Sequence, residues 1–353
     1  LSSAVKLAFS AGNLKAYNEI QLSNIYIICV PTPFYKNNKI PKPNIEHVLS
    51  ATKSIAPFIK KDDLIILEST SPIGTTKKIE QTLIELGANI NDVSIAYCPE
   101  RVLPGKIMTE LIENDRIVGG LNKKSTEIAA KFYSSFVKGS IFKTDSKTAE
   151  MCKLTENSFR DLNIAFANEL SIICDKYEIN VWDLISFANR HPRVNILQPG
   201  IGVGGHCIAV DPWFLVSQDK ENTKLIRKAR EVNEIKTQWV IDKIKNSAAQ
   251  FLLKKGTKPK IACLGLAFKP DIDDMRESKA LEVVFNLLSE GYELCVVEPN
   301  IKSHPELNLL NYSKAIKEAD IICILVKHQE FLTMEFKRLV ENLITLDFCG
   351  ALN

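Results

Sequence analysis

Hydrophobic positions in the first part of the chain form short continuous runs separated by amphipathic segments. Residues 24–30 are a β-branched apolar run stopped by Pro31, and residues 64–67 and 92–97 form two more runs, the last one weaker. The segment 44–60 has apolar side chains at helical spacing. Continuous apolar runs are typical of central parallel strands. Their alternation with helices predicts a doubly wound α/β domain.

The sequence also predicts where the next elements of this domain begin. Ser71 and Pro72 follow the second run, and they predict an N-cap and a first helical residue for a helix that reaches about Leu86. The remaining predicted elements are a strand at residues 116–119, a helix at 124–136 and a short strand at 141–142.

Helical patterns occupy the middle of the chain, and strand patterns return after them. The predicted central helices are residues 148–178, 181–188 and 223–253. The predicted later strands are residues 260–265, 293–297, 321–326 and 344–348, with helices at 278–291 and 312–319. We therefore predict two doubly wound Rossmann-like domains joined by a central helical region, with domains at 1–145, 146–255 and 256–353.

Composition narrows the class of protein. The 353 residues are 45% hydrophobic and 25% charged, with a net charge of +3, so we expect neither nucleic acid nor membrane partners. The chain has nine cysteines and five histidines, all dispersed, which argues against a disulfide framework and against a structural zinc site. We expect a cytoplasmic protein with reduced thiols, with no apolar run long enough to cross a bilayer.

A glycine-rich loop at residues 199–213 is the most informative stretch. Its glycines spell G-x-G-x-x-G, but Pro192 upstream and Pro212 downstream do not suit the strand and helix that a dinucleotide-binding turn requires. The loop contains Cys207, followed four residues later by Asp211. Backbone N–H groups of such a loop can stabilise a thiolate, so Cys207 is a candidate nucleophile. The alternative is a small buried thiol.

Two further groups of polar residues are candidates for a site. Thr32, Thr70 and Glu100 each follow a predicted strand, at the edge where doubly wound sheets bind ligands. Lys153 and Asn157 are spaced one helical turn apart, and Arg160 follows on the same face. From spacing alone, an ordinary solvated helix face is the favoured interpretation of these three.

Two stretches carry a resemblance to a known family. Gly204-Gly-His-Cys-Ile-Ala-Val-Asp-Pro212 and Met151-Cys-Lys-Leu-Thr-Glu-Asn157 resemble the catalytic loop and helix of the UDP-glucose/GDP-mannose dehydrogenase family. The resemblance covers nearly the whole chain. It implies a homodimer formed through the central helices and NAD-dependent oxidation of a UDP-sugar alcohol to a carboxylate through a cysteine thioester.

The resemblance also assigns roles to residues. Cys207 would be the nucleophile, Lys153 and Asn157 would supply acid/base and oxyanion groups, and Asp211 and Thr70 would hold water, with Glu100 as a further catalytic residue. The residues implied for NAD are Thr32, Thr70 and Arg276. Those implied for the UDP-sugar are Arg101, Val102, Lys153, Asn157, Arg160, His191, Arg193, Gly204, Phe268 and Lys269. No metal is implied.

Departures from the family pattern refine this expectation. Pro104 stands where glucose-type members have a second glutamate, and His206, Ala209 and Val210 also depart from those members. These residues favour the acetamido-sugar branch, and therefore oxidation of UDP-N-acetyl-D-mannosamine to its uronate for surface polysaccharide synthesis. The family's first strand and its glycine turn do not occur, so we expect an N-terminally truncated first domain.

The sequence leaves several alternatives open. The substrate could instead be UDP-N-acetylglucosamine or UDP-glucose, and the cofactor NAD or NADP. A nucleotide-sugar-binding protein without catalysis is the rival from another class, and an unrelated Rossmann-type reductase is a third reading.

Overall fold

The computed structural model of the protein describes residues 2–35, 40–102 and 106–353. The chain divides into two compact units, the first made of Leu1–Glu156 and Trp213–Lys220, the second of Asn157–Pro212 and Glu221–Asn353. Each unit contains one large β-sheet.

The sheet of the first unit has five strands in the order β1-β4-β5-β6-β7. These are β1 (Ile25–Ile28), β4 (Leu64–Leu67), β5 (Ser94–Tyr97), β6 (Arg116–Gly120) and β7 (Ile141–Asp145). Strand β4 is central and buried along its whole length, as its continuous apolar run predicts. Strand β6 is antiparallel to β5, whereas the other neighbours are parallel, so the sheet is mixed.

Helices cover both faces of this sheet. The helices that pack on it are α2 (Glu46–Ile55), α3 (Thr75–Glu85) and α5 (Lys123–Ser134). The unit also contains α1 (Ser2–Ser10), whose larger apolar side chains are exposed, and α4 (Ile107–Glu113). The core on one face includes Ile65, Ile79 and Leu83, and the core on the other includes Ile66 and Tyr133. A separate two-stranded ribbon pairs β2 (Phe34–Tyr35) with β3 (Lys42–Pro43).

The predicted start of α3 is wrong. The N-cap residue is Gly74, with a φ of +91°, and Ser71 instead donates its hydroxyl to the Ser69 carbonyl. The carboxylate of Glu150 supplies the missing cap, since it accepts from the Gly74 and Thr76 N–H groups at 2.5 and 2.8 Å. A partner this distant in sequence removes the need for a local capping residue.

The second unit contains a parallel sheet of four strands in the order β11-β10-β8-β9. They are β8 (Lys260–Leu264), β9 (Glu293–Val297), β10 (Ile321–Ile324) and β11 (Ile344–Asp347), with helices α10 (Lys279–Ser289), α11 (Tyr312–Glu318) and α12 (Met334–Val340). After β8 the chain forms β9 on one side of it, and then crosses over to form β10 on the other side. This change of direction makes a crevice at the carboxyl ends of β8 and β10, where doubly wound sheets bind ligands.

The remaining helices are α6 (Ser146–Lys176), α7 (Val181–Ala188), α8 (Asp211–Gln218) and α9 (Lys224–Lys255). The three predicted central helices are therefore present, and the α/β fold is confirmed. The predicted loop 199–213 is shorter than expected, because α8 begins at Asp211 and has Pro212 in its first turn, where a proline is tolerated. Among the described residues, every helix is too short or too polar to span a bilayer.

Candidate active site

Cys207 lies in the exposed turn just before α8. The N–H groups of Val210 and Asp211 both donate to the Cys207 carbonyl, at 3.0 and 2.9 Å. The side chain of Cys207 is exposed and carries a thiol rather than half of a disulfide. The turn therefore presents the thiol to solvent while fixing the backbone that carries it, which contradicts the alternative of a buried small thiol.

Asn157 and Asp211 meet in the interior of the second unit. Both are buried, at 7% and 3% exposure, and the Asn157 Nδ2 donates to the Asp211 Oδ2 at 2.5 Å. Since Asp211 also closes the turn at Cys207, the structure brings three of the predicted catalytic residues together.

The predicted helix face is not an ordinary solvated face. Lys153 lies one turn before Asn157 on the continuous helix α6 and is half-buried, whereas Arg160 is exposed. A buried asparagine in a helix interior requires a hydrogen-bond partner, and Asp211 provides it. Asn157 therefore does not lie on a solvent-exposed helix face.

Glycine is required in the cysteine loop for close packing. A Cβ on Gly204 would lie 2.5 Å from the Glu277 carbonyl, and one on Gly205 would lie 2.9 Å from the Phe268 ring. The ring of His206 packs edge-on against Phe268, with centroids 6.1 Å apart. Phe268, predicted to contact substrate, therefore packs directly on the loop. Its predicted neighbour Lys269 is exposed at the carboxyl end of β8.

Arg276 interacts electrostatically with Cys207 of the same loop. Its guanidinium donates to the Asp274 carboxylate through Nε at 3.0 Å and Nη2 at 2.6 Å. This pairing raises the pKa of Arg276 and lowers that of Asp274, and the charge of a Cys207 thiolate raises the Arg276 pKa further.

The first unit places the predicted cofactor residues at one edge of its sheet. Thr32 follows β1 and donates its hydroxyl to the Thr70 carbonyl beyond β4, at 2.6 Å. The Val30 N–H donates to the Ser69 hydroxyl at 2.7 Å. Neutral hydroxyl and backbone groups at the carboxyl ends of parallel strands suit a dinucleotide, so the residues present fit NAD.

Glu100 and Arg101 already have protein partners. The Glu100 carboxylate accepts from the Arg101 and Val102 N–H groups, at 2.6 and 2.8 Å, and from buried Arg116 at 3.1 Å. The Arg101 guanidinium pairs with Glu156 at 2.8 Å. Pro104 lies outside the described residues.

The last two predicted substrate residues, His191 and Arg193, are exposed beyond α7, where the Arg193 N–H donates to the His191 Nδ1 at 3.3 Å. Sequence reasoning missed Arg116 and Glu150, both buried. Both have polar or charged neighbours in sequence, so no local pattern marks them as buried.

Three sequence models of one family match the chain in succession. Residues 1–137 match the NAD binding domain of the UDP-glucose/GDP-mannose dehydrogenase family, residues 147–235 its central domain and residues 262–353 its UDP binding domain. The chain belongs to the UDP-glucose/GDP-mannose dehydrogenase family. The family, NAD as its cofactor and binding of a UDP-sugar are thereby confirmed.

Named relatives are similar to the chain over most of its length. The UDP-N-acetyl-D-mannosamine dehydrogenase of Campylobacter jejuni is 51% identical over 353 residues, covering 95% of this chain and 85% of that protein. The NDP-N-acetyl-D-galactosaminuronic acid dehydrogenase of Ralstonia solanacearum is 48% identical over 358 residues, covering 98% of this chain and 83% of that protein. The solved UDP-D-ManNAc dehydrogenase of Pyrococcus horikoshii superposes with a TM-score of 0.89 at 38% identity, covering 99% and 84%.

Proposed function

We propose that this protein oxidises UDP-N-acetyl-D-mannosamine to UDP-N-acetyl-D-mannosaminuronate, with NAD, for synthesis of a surface polysaccharide. The observation that carries the proposal is the arrangement of exposed Cys207 beside Asp211, which buried Asn157 holds at 2.5 Å. The identity of 51% to a UDP-N-acetyl-D-mannosamine dehydrogenase supports the choice of sugar.

The proposed reaction forms and breaks one bond to sulfur. Bound NAD supplies the acceptor for the hydride lost in each of two oxidations. After the first oxidation, the Cys207 thiolate adds to the C6 aldehyde to give a thiohemiacetal, and loss of the second hydride leaves a thioester. Water then attacks the thioester, providing the second carboxylate oxygen and releasing the thiolate.

Other residues act on charge and protons in these steps. Asn157 and Lys153 stabilise the tetrahedral oxyanion, and Lys153 also transfers a proton. Asp211 and Thr70 orient the water that hydrolyses the thioester, and Glu100 supplies a further carboxylate. Thr32, Thr70 and Arg276 bind NAD.

The proposed UDP-sugar residues fall into two groups by chemistry. Basic side chains can pair with the pyrophosphate, and the others shape the pocket. The basic members are Arg101, Arg160, His191, Arg193 and Lys269, and the remaining members are Val102, Gly204 and Phe268.

A second candidate substrate is a UDP-N-acetylgalactosamine-type sugar, which the 48% identity to the Ralstonia solanacearum protein favours. Three UDP-N-acetylhexosamines and UDP-glucose should therefore be compared while NADH formation is followed. We expect two NADH per UDP-N-acetyl-D-mannosamine and much slower turnover of the other sugars. Fast turnover of another epimer would reassign the substrate.

Substitution of the nucleophile tests the mechanism. Cys207→Ser should reduce uronate formation by more than about 100-fold, because loss of a covalent nucleophile costs several decades in rate. Half-buried Cys349, whose thiol contacts Asp347, provides the control Cys349→Ser, which should remain active. Turnover by Cys207→Ser above about one per cent of wild type would exclude the thioester route.

We further propose a cytoplasmic homodimer with the three-domain division 1–145, 146–255 and 256–353. The matches to three successive family domains support the division. On α6, Phe159, Phe166 and Ile173 are exposed at 67%, 49% and 47%, and Tyr177, just past the end of the helix, is exposed at 65%. Their spacing forms an apolar stripe along one side of the helix, suited to packing against a second copy. The nine cysteines, all thiols, support a reducing compartment.

A further inference from the structure

A buried polar network lies between α6 and α9 in the second unit. Arg230 donates to Asp161 at 2.7 Å, and the side chains of both are 1% exposed. The Nδ2 of Asn233 donates to the same Asp161 oxygen at 2.8 Å, while its Oδ1 accepts from Asn168 at 2.8 Å. Buried polar side chains are costly unless each is satisfied, so this chain of contacts fixes the position of each member.

Asn168 of this network and Thr237, which lies one turn after Asn233 on α9, reach beyond the helices to the cysteine loop. The Oδ1 of Asn168, on α6, accepts from the Gly200 N–H at 2.8 Å. The hydroxyl of Thr237, on α9, donates to the Ile201 carbonyl at 2.8 Å. Asn168 and Thr237 are 0% and 1% exposed, so water cannot replace either contact without rearrangement.

The backbone after these contacts fits closely against α9. Gly202 has a φ of +126°, and a Cβ there would lie 2.3 Å from the Thr237 hydroxyl oxygen. Further along, Gly204 and Gly205 pack on Glu277 and Phe268. The segment is therefore held from Gly200 onward, up to the turn that presents Cys207.

We propose that Asn168 and Thr237 are positioning residues for catalysis, which hold the start of the loop that carries Cys207. The inference rests on the proposed role of Cys207 as nucleophile. Apolar packing alone would allow a glycine-rich backbone to slide. The directional hydrogen bonds to the Gly200 N–H and to the Ile201 carbonyl fix the position of the backbone along the chain. Misplacement of a reacting atom by about 1 Å can cost about 10²-fold in rate.

The test uses two substitutions of Thr237 that distinguish the effect of its hydroxyl group from the effect of its side-chain shape. Thr237→Val keeps the shape but removes the donor to Ile201, and Thr237→Ser restores the donor. We expect Thr237→Val to lower kcat by about 10- to 100-fold with a smaller change in KM, and to speed hydrogen exchange in the segment 199–210. Thr237→Ser should stay within about threefold of wild type in both measurements.

Ser171 offers a matched control within the same network. It is buried, donates to the Asn168 main-chain carbonyl and accepts from Lys236 at 2.8 Å, but contacts no residue of the loop through these bonds. Ser171→Ala should lower thermal stability while leaving kcat and loop exchange unchanged. Asn168→Ala, which removes the bond to Gly200, should reproduce the effect of Thr237→Val.

Two results would overturn the proposal. Thr237→Val could lose thermal stability with wild-type kcat and loop exchange, which would make the role purely structural. Alternatively, Ser171→Ala could lower kcat as much as Thr237→Val, which would remove any specific link to the loop. Activity retained by Cys207→Ser would instead refute the proposed function, so the two failures are distinguishable.

Discussion

Lys236 should make the stability of this protein depend on pH in an unusual direction. Its side chain is 2% exposed, its Nζ donates to the Ser171 hydroxyl at 2.8 Å, and it lies 3.7 Å from the centroid of the Trp239 ring. The Asp175 charge favours the ammonium, but Asp175 pairs with Lys243 at 2.7 Å, and the Lys243 charge disfavours it. Burial outweighs these effects and lowers the pKa of Lys236 to about 7.

The sign and size of the effect follow from this pKa. An unfolded lysine titrates near 10.5, so between pH 7 and 10.5 the unfolded chain binds more protons than the folded one. The contribution of Lys236 to the free energy of unfolding therefore rises with pH, by up to about 1.4 kcal/mol per pH unit. In Lys236→Met the buried ammonium is absent, so the variant should gain most over wild type near pH 6. That advantage should shrink by about 3 kcal/mol by pH 9.

Urea unfolding at matched protein concentration, at pH values from 6 to 9, measures this difference. Lys255→Met, at an exposed position of the same helix, is the control and should show a pH-independent difference from wild type. A pH-independent difference for Lys236→Met as well would refute the reasoning, since it would mean that Lys236 titrates at its ordinary pKa in the folded protein.

Two further predictions concern the helix cap and the dimer. Glu150→Ala leaves the buried N–H groups of Gly74 and Thr76 without their acceptor and should lower the free energy of unfolding by about 1–3 kcal/mol, whereas Glu169→Ala, at an exposed position of α6, should change it by less than about 0.5 kcal/mol. Equal losses in urea unfolding would contradict the capping role. Phe166→Ser should shift the purified protein from dimer to monomer in light scattering, and an unchanged mass would argue against the stripe as the interface.

Elements with continuous apolar patterns could be predicted from the sequence because their signal is local. The bounds of β4, β9 and α7 agree with the predicted ranges, and each is flanked by residues that end regular structure. The short helices α4, α8 and α12 were not predicted, although α11, which is equally short, was. A segment of two turns gives only a weak periodic pattern. The start of α3 failed for another reason, its cap being a side chain more than 70 residues away.

The residues of the site also differ in whether their grouping could be predicted from neighbouring positions in the sequence. Cys207 and Asp211 lie within one turn, and Lys153 and Asn157 within one helical turn, so sequence spacing could group each pair. The contacts that hold the loop could not be found by spacing, because Asn168 reaches Gly200 across 32 positions and Thr237 reaches Ile201 across 36.

Such contacts nevertheless leave a trace in composition. Asparagine and threonine are poor helix formers, and a helix interior buries them only where a partner satisfies their polar atoms. Asn168 follows buried Ala165 and Ala167 on α6, a position where burying an apolar side chain would cost less free energy of desolvation than burying an asparagine. Asn233 and Thr237, one turn apart, interrupt the buried face of α9 in the same way. Buried polar residues on a helix therefore indicate a distant polar partner. For Asn168 and Thr237 that partner is the backbone of the loop leading to Cys207, whereas Asn233 bonds to Asp161 and Asn168.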